Sequence, residues 1–281
     1  MKFIHLTDPH LVAPPADLFA IDGRERLAKA VASIARHHGD AELCVITGDL
    51  THWAEPGAYA AFEEIVSALP MPWHALIGNH DGRDEMRTAL PALPWTDDGF
   101  LHYHLDTPAG RFLILDTVDP GVSSGRLCEK RLAWLTGALT DGEAEGLDVF
   151  LFMHHAPMDV GIPGLDAIRL LNADDFAAAI AGFGNLRHLF FGHLHRACHG
   201  SWKGLPFSTV RATAHQIAFD MTAVKPLAGS AELPDYAVVL IDDDRVVIHD
   251  HSYLEEDAVF KYTRSKPTAV RFNLGCHMRA H

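Results

Sequence analysis

Short apolar runs alternate with amphipathic segments along the first two thirds of the chain, and this alternation predicts a layered α/β protein. Runs rich in β-branched and aromatic residues are typical of buried strands, whereas apolar residues spaced three and four apart are typical of helices. The predicted strands span residues 3–7, 45–49, 73–77, 149–153 and 186–191. The predicted helices span residues 24–36, about 55–69, 129–139 and 172–181.

The middle and the end of the chain favour antiparallel strands. Residues 100–105 and 111–116 flank the turn sequence Asp106-Thr107-Pro108-Ala109-Gly110, which predicts a β-hairpin. Four later runs also resemble antiparallel strands, at residues 208–212, 216–219, 236–241 and 246–250. The sequence after Glu255 has mixed charge and little periodicity, so no element is predicted there.

Composition narrows the class of protein. The chain has 281 residues, 48% of them apolar and 21% charged, which is typical of a globular protein with one main domain. The formal net charge of -14 argues against a nucleic-acid polymer as partner, because such binding needs a basic surface. A small anionic substrate stays compatible with this charge, since bound metal ions can reverse the local potential.

The cysteines and the first residues bear on the compartment. Cys44, Cys128, Cys198 and Cys276 lie far apart and form no C-x-x-C pair, which favours a reducing, cytoplasmic compartment. The first residues lead directly into strand-like sequence, without the apolar stretch and cleavage site of a signal peptide. No apolar run approaches the roughly 18 residues that indicate a membrane span, so no membrane association is predicted.

Donor side chains follow five of the predicted strands at their carboxyl ends, where open α/β sheets place their active sites. These residues are Asp8, His10, Asp49, Asn79, His80, His154, His193 and His195. Carboxylate, imidazole and amide donors together suit first-row metals such as Mn, Fe, Co or Zn, whereas an all-oxygen set would favour Mg or Ca. The sequence therefore predicts a metal site built from several strand ends.

A single short motif would not establish this site. The H-x-H spacing also occurs at His102-Tyr103-His104 and at His249-Asp250-His251, which we interpret as ordinary strand residues. His193-Leu194-His195 differs because Gly192 and a buried strand precede it. The ordered set of motifs is far more specific than any member of it.

In this order, D-x-H, G-D, G-N-H-D, a histidine before H-A-P, and G-H-x-H resemble the calcineurin-like metallophosphoesterase family over roughly the first two hundred residues. The resemblance implies that Asp8, His10 and His195 bind one metal, that Asn79, His154 and His193 bind a second, and that Asp49 bridges both. His155 is an alternative to His154, because the motif leaves the register of that pair open.

The family resemblance also implies a fold, a four-layer α/β/β/α sandwich of two mixed β-sheets flanked by helices. Residues 1–215 would form the catalytic core. Residues 216–281 would add strands that complete the second sheet and would serve as a cap or dimerisation segment. A homo-oligomer, dimeric or higher, is expected.

The compact length, the early Asp8-Pro9-His10 and the pair His215-Gln216 are most similar to the bacterial branch of class III cyclic-nucleotide phosphodiesterases and glycerophosphodiesterases. In that branch Asn79, His80 and His215 would face the substrate, although an ordinary strand histidine is the alternative for His215. Phe19 and Ser124 are weaker candidates for the rim of the cleft.

The resulting expectation is a hydrolase of small phosphodiesters, cyclic nucleotides (3',5' or 2',3') first and glycerophosphodiesters second. Two metals roughly 3.5 to 4 Å apart can activate a water as hydroxide for in-line attack on phosphorus. Asp49 and His80 are the predicted catalytic residues, with His80 stabilising the transition state or protonating the leaving group. A phosphomonoesterase and a non-catalytic scaffold are the alternatives. A non-catalytic scaffold should have lost some of the ligand residues, whereas all seven predicted ligand positions carry a suitable donor side chain.

Overall fold

The computed structural model describes residues 1–255, and its strands form two large sheets and a small two-stranded ribbon. The strands, in chain order, are β1 (Lys2–Leu6), β2 (Leu43–Ile46), β3 (Trp73–Ala75), β4 (Tyr103–Thr107), β5 (Gly110–Ile114), β6 (Val149–Met153), β7 (Leu186–Phe191), β8 (Cys198–Trp202), β9 (Leu205–Thr209), β10 (Gln216–Ile217), β11 (Gly229–Ser230), β12 (Tyr236–Ile241) and β13 (Val246–His251). The first sheet has the order β13-β12-β1-β2-β3, and the second has the order β4-β5-β6-β7-β9-β8.

Both sheets mix parallel and antiparallel pairs. In the first sheet β1, β2 and β3 are parallel, while β12 is antiparallel to β1 and to β13. In the second sheet β5, β6, β7 and β9 are parallel, while β4 and β8 run antiparallel at its two edges. The parallel strands matter for function, because their carboxyl ends lie at one edge of each sheet.

Six helices accompany these strands in the described part of the chain. They are α1 (Gly23–His37), α2 (Pro56–Val66), α3 (Arg83–Ala89), α4 (Glu129–Ala144), α5 (Pro163–Asp166) and α6 (Ala173–Ile180). α1 begins where it does because Oδ1 of Asp22 accepts hydrogen bonds from the backbone N–H groups of Arg24 and Glu25, both at 3.0 Å. α1 buries Leu27 and Ile34 from its apolar face.

Phenylalanine rings fill the space between the two sheets. The ring of Phe3 in β1 lies 5.2, 5.8 and 5.4 Å from the rings of Phe112, Phe152 and Phe190 in the second sheet, in edge-to-face contact. Strand alternation places the neighbours of these residues, such as Leu151, on the opposite face, where they pack with α4, α5 and α6. α1 and α2 pack with the first sheet. The predicted four-layer sandwich of two mixed sheets is confirmed.

The last two strands differ from the prediction. Residues 236–251 were expected to complete the second sheet, but β12 pairs with β1 and extends the first sheet. The physical reason is the free edge of β1, which only β2 covers on its other side. In the second sheet, β9 and β8 take the places beyond β7, and β8 is the edge strand. The division of the chain at residue 215 stays a prediction.

Most of the predicted elements are present, and the hairpin of β4 and β5 is confirmed. β9, predicted as an antiparallel strand, is parallel to β7 and antiparallel to β8. β8, β11, α3 and α5 were missed. β8 escaped notice because it is a largely exposed edge strand, whose residues Cys198-His199-Gly200-Ser201-Trp202 have no apolar run. The predicted lack of an element after Glu255, like Cys276, lies outside the described residues.

Two further expectations concern the compartment. Cys44, Cys128 and Cys198 are free thiols. Among residues 1–255, the helices lack the combination of length and apolar composition that a membrane span requires.

The buried His188 of β7 should make the fold sensitive to acid. Its Nε2 lies 2.9 Å from Oγ of Ser208, and burial lowers its pKa to about 4. The unfolded chain takes up the proton near the usual pKa of about 6.5, so stability present at neutral pH is lost as the pH falls from about 6.5 towards 4. Between pH 7 and pH 4.5, the free energy of unfolding should fall by up to about 3 kcal/mol less in His188→Gln than in the wild type. Urea unfolding at the two pH values measures this difference.

The exposed His104→Gln provides the matched control, since it removes a histidine from β4 without removing a buried one. Equal acid sensitivity of His188→Gln and His104→Gln would contradict the role of His188.

Candidate metal centre

The ends of five strands from both sheets meet at one site. β1 leads to Asp8 and His10, and β2 leads to Asp49. Asn79 and His80 follow β3, His154 follows β6, and His193 and His195 follow β7. The predicted ligand residues are thereby brought within a few ångströms of one another.

The first group of donors consists of Asp8, His10, Asp49 and His195, all buried. Nε2 of His10 and Nε2 of His195 lie 2.9 Å apart. Oδ1 of Asp8 lies 3.6 Å from Nε2 of His195, and Oδ2 of Asp49 lies 3.3 Å from Nε2 of His10.

The second group consists of Asn79, His154 and His193. Nε2 of His154 lies 3.1 Å from Oδ1 of Asn79 and 3.2 Å from Nδ1 of His193. The same Nε2 lies 3.4 Å from Oδ2 of Asp49. One carboxylate oxygen of Asp49 is therefore within 3.4 Å of a nitrogen in each group, which places Asp49 between them.

Three of the imidazoles each have one ring nitrogen that donates to a backbone carbonyl oxygen outside the site. In each ring, the other nitrogen faces the site and carries the lone pair. Nδ1 of His154 donates to the carbonyl oxygen of Thr47 at 2.8 Å, and Nδ1 of His195 donates to that of His215 at 2.7 Å. Nε2 of His193 donates to a backbone carbonyl at 3.1 Å. In a neutral ring the other nitrogen then carries the lone pair, and carbonyl oxygens that fix histidine in this way are common behind metal ligands.

These lone pairs converge on one another. In neutral rings Nε2 of His154 and Nδ1 of His193 both carry lone pairs, yet they lie 3.2 Å apart and close to the buried carboxylate of Asp49, an arrangement that positive charge between them stabilises. The donor set of imidazoles, carboxylates and one amide is also that of first-row transition metals. The residues present therefore fit a centre of two metal ions.

The electrostatics of the chain itself point to the same need for positive charge. Burial raises the pKa of Asp8 to about 7, against the opposing charge of His154. Burial alone would raise the pKa of Asp49, but the charges of His154 and His10 hold it well below its usual value. Burial lowers the pKa of His195 to about 4 and that of His193 well below the ordinary value, which keeps both rings neutral as metal ligands must be.

Several donor residues adopt a backbone conformation that L-amino acids rarely use. Five of them have φ between 44° and 69°, at a cost of about 1–3 kcal/mol each. These residues are Asp8, His10, Asp49, His193 and His195. Such strain turns each side chain sharply away from the direction of its strand. Neither glycine nor asparagine, the residues that fit this conformation best, occupies these positions.

Two glycines let the loops approach closely. A Cβ at Gly78 would collide with Oδ1 of Asp49, and a Cβ at Gly192 would collide with Oγ1 of Thr7 and lie 3.0 Å from Oδ2 of Asp8. The glycine before each donor cluster is thus required by the neighbouring loop, which explains the G-N-H-D and G-H-x-H spacing physically.

Asp81, the last residue of G-N-H-D, fixes the loops that follow β2 and β3. Its carboxylate accepts hydrogen bonds of 3.1 Å from the backbone N–H groups of Leu50, Thr51 and Gly78. The hydroxyl groups of Thr51 and Tyr59 donate to Oδ1 at 3.3 and 3.1 Å. No role was predicted for Asp81 from the sequence, although its position at the end of the G-N-H-D motif could have indicated one.

His52 is the other residue that sequence reasoning missed. Its Nδ1 lies 3.0 Å from Nδ1 of His10, and its ring stacks on that of His80 at 4.5 Å. If Nε2 of His10 faces a metal, Nδ1 of His10 carries the proton and donates it to His52, which orients the ligand. Its only sequence signal is a histidine three residues after Asp49.

The predicted substrate-facing residues line a small cavity of about 140 Å³ above the donors. Phe19, His80 and His215 are among its lining residues. The backbone N–H of His80 donates to Oδ1 of Asp49 at 2.8 Å, and its Nδ1 donates to the carbonyl oxygen of His52 at 3.0 Å.

Two other expectations have different outcomes. Ser124 is buried, and it is Ser123, one position earlier, that lines the cavity; the rim assignment of Ser124 was therefore wrong by one residue.

His102, from one of the comparison H-x-H pairs, packs between Phe100 and Trp134, at ring distances of 5.7 and 4.5 Å. Its interpretation as an ordinary structural residue fits this position.

Comparison with known proteins agrees with the fold and with the family resemblance. Residues 1–197 match the model of the calcineurin-like phosphoesterase family, so the chain belongs to that family. It is 40% identical over 262 residues to a probable cyclic nucleotide phosphodiesterase of Rhodopseudomonas palustris, covering 92% of this chain and 95% of that one. It is 27% identical over 231 residues to a glycerophosphodiester phosphodiesterase of Enterobacter lignolyticus, covering 80% and 82%.

A solved structure shares the fold. A dimetal phosphatase from Danio rerio superposes with a TM-score of 0.69 at 14% identity, covering 90% of this chain and 96% of that one.

Asp81→Ala should destabilise the protein by at least about 3 kcal/mol, because it leaves several buried donors without an acceptor. Asp81→Asn should lie between Asp81→Ala and the wild type, since the amide retains one accepting oxygen. Urea unfolding of the three proteins measures this order. A loss below about 0.5 kcal/mol in Asp81→Ala would contradict the proposed support of the two loops.

Proposed function

We propose that this protein is a dinuclear metal-dependent phosphodiesterase that hydrolyses small phosphodiesters, with cyclic nucleotides as the first substrate class and glycerophosphodiesters as the second. The observation that carries the proposal is the position of Asp49 between two groups of donors beneath a small cavity. The names of the two relatives supply the substrate classes.

The ligands are assigned from the distances above. Asp8, His10 and His195 would hold one ion, and Asn79, His154 and His193 would hold the other. Asp49 would serve both ions. His154 is preferred over His155 because its Nε2 lies 3.4 Å from Oδ2 of Asp49 and 3.1 Å from Oδ1 of Asn79.

The donor set suits Mn, Fe, Zn or Co. Two such ions would supply Lewis acidity for activating a water and for stabilising charge on the phosphoryl oxygens. Two divalent ions also leave the site positive against Asp8 and Asp49, which lets an acidic protein hold an anionic substrate.

The chain contributes position and proton transfer. The hydrogen bond from the backbone N–H of His80 to Oδ1 of Asp49 leaves the other carboxylate oxygen facing both donor groups. The bond from Nδ1 of His80 to the carbonyl oxygen of His52 orients the ring beside the cavity. This orientation would place Nε2 of His80 for proton transfer to the leaving oxygen. His215 lies across the cavity, with its ring 4.7 Å from that of His195.

The cytoplasmic compartment and a homo-oligomeric state stay predictions, and so does a cap or dimerisation role for residues 216–281. Size-exclusion chromatography with light scattering tests the oligomer directly, and a monomer at micromolar concentration would contradict it.

Asp49→Ala should lose both metal ions together, because its carboxylate is placed to serve both donor groups. His193→Ala should lose mainly one ion, since its Nδ1 lies 3.2 Å from His154 in the second group alone. Elemental analysis of dialysed protein after Mn loading measures the stoichiometry. Retention of one full equivalent by Asp49→Ala would contradict the bridging position.

His80→Ala is the matched control, because it alters the cavity without removing an assigned ligand. It should retain both ions and lose about 10²- to 10⁴-fold in turnover. Full turnover of this variant at metal saturation would show that His80 has no part in proton transfer.

A substrate panel at fixed Mn concentration tests the function itself. The protein should hydrolyse 3',5'- or 2',3'-cyclic nucleotides and glycerophosphodiesters with higher kcat/KM than the matching monoesters. A preference for monoesters would establish a phosphomonoesterase instead. Far fewer than two equivalents of metal, together with no activity on bis(p-nitrophenyl) phosphate after Mn loading, would identify a scaffold.

A further inference from the structure

The turn that carries Phe19 is strained. Leu18 and Ile21 pair through two backbone hydrogen bonds, of 3.2 and 2.9 Å, and form a two-residue hairpin. Its central residues, Phe19 and Ala20, have φ of 53° and 59°. Positive φ at both positions is the type I' arrangement, for which Asn-Gly is strongly preferred. Phenylalanine and alanine are therefore unfavourable residues for this turn.

This strained turn places the apolar ring of Phe19 in contact with solvent at the entrance to the cavity. Phe19 is 67% exposed, yet its ring lies 5.0 Å from that of His215 and 6.1 Å from that of His52. Phe19 also lines the cavity above the donors. Burial in the core does not explain the residue, and a strained backbone beside a reactive site indicates a role in binding.

The size of the cavity decides which part of a substrate reaches this ring. Its volume of about 140 Å³ is well below the roughly 300–1,000 Å³ of pockets that enclose whole ligands. The phosphate group and its immediate surroundings fill such a space. The organic group of a phosphodiester must then lie at the rim.

A neighbouring cleft offers a different surface. It is lined by charged residues, among them Arg83, Asp84 and Asp98, and by Phe100. The guanidinium groups of Arg83 and Arg131 lie 5.2 and 4.8 Å from the ring centre of Phe100 and occupy its faces. Among the residues that line the cavity above the donors, Phe19 presents an exposed aromatic ring to a substrate.

We propose that Phe19 is a specificity-determining residue that stacks against the nucleobase of a cyclic-nucleotide substrate. The inference rests on the proposed phosphodiesterase function. Every base has a π-face, so stacking on Phe19 favours nucleotides over diesters whose organic groups are aliphatic, without selecting one base.

Phe19→Ala should lower kcat/KM for a cyclic nucleotide about 5- to 100-fold, mainly through KM, because stacking acts on bound substrate as well as on the transition state. Hydrolysis of glycerophosphoethanolamine, which has no ring, should change less than twofold. The inhibition constant of 5'-AMP should rise by about the same factor as kcat/KM for the cyclic nucleotide falls. The inhibition constant of inorganic phosphate should not change. Phe19→Tyr should restore the wild-type ratio.

Two further variants separate binding from structure. Phe19→Asn suits the positive φ, so it should raise Tm by about 1–4 °C while it loses the cyclic-nucleotide preference. Phe219→Ala removes a phenylalanine of similar exposure, 65%, that contacts Arg196 and is not among the cavity-lining residues. It should keep the wild-type substrate ratio.

The outcomes distinguish this inference from the function on which it rests. Equal losses on both substrates in Phe19→Ala, or an equal effect of Phe219→Ala, would overturn the stacking role while phosphodiesterase activity stands. A wild-type protein without diester activity would overturn the proposed function instead.

Discussion

Two buried carboxylates and several imidazole lone pairs lie within a few ångströms of one another, and the rest of the site depends on how this crowding is resolved. Asp49 lies 3.3 Å from His10 and 3.4 Å from His154, while the imidazole nitrogens of His10 and His195 approach to 2.9 Å. In neutral rings the contacts of Nε2 of His154 with Asp49 and with Nδ1 of His193 have no proton to share, because both rings already donate outward to backbone carbonyls. Cations bound among these atoms would remove the repulsion. The site is therefore organised for metal before any metal binds.

Holding such a site open requires support from outside it. Five donor residues adopt positive φ, which would relax if their loops were free. Asp81 ties the loops after β2 and β3 together, and the sheets beneath them are fixed by the packing of Phe3 against Phe112, Phe152 and Phe190. The large aromatic core thus stabilises a polar edge that is unfavourable by itself.

Sequence patterns predicted most of this organisation, and the exceptions have physical causes. Strand ends followed by ligand residues were visible because apolar runs and motifs are local features. The pairing of β12 with β1 was not, because Tyr236–Ile241 is apolar enough for either sheet and only the free edge of β1 decides. β8 was missed because an exposed edge strand needs no apolar pattern. His52 and Asp81 were missed as supports because hydrogen bonds to residues distant in sequence leave no periodicity. The one-residue error at Ser124 arose because a loop without regular structure does not reveal which side chain faces inward.

The site divides into a deep part and a rim, and the two are under different constraints. The deep part is set by coordination chemistry, so a change in any of its donors affects every substrate alike. The residues at the rim contact only the part of a substrate that extends out of the cavity of about 140 Å³. Substitutions at the rim can therefore change substrate preference without altering the reaction. The strained turn at Phe19 belongs to the rim, and its residues are poor for stability at a position where Asn-Gly would be better. A residue at such a position, strained and mostly exposed beside His215, is best understood through what it contacts when substrate is bound, because core burial does not compensate for the strain.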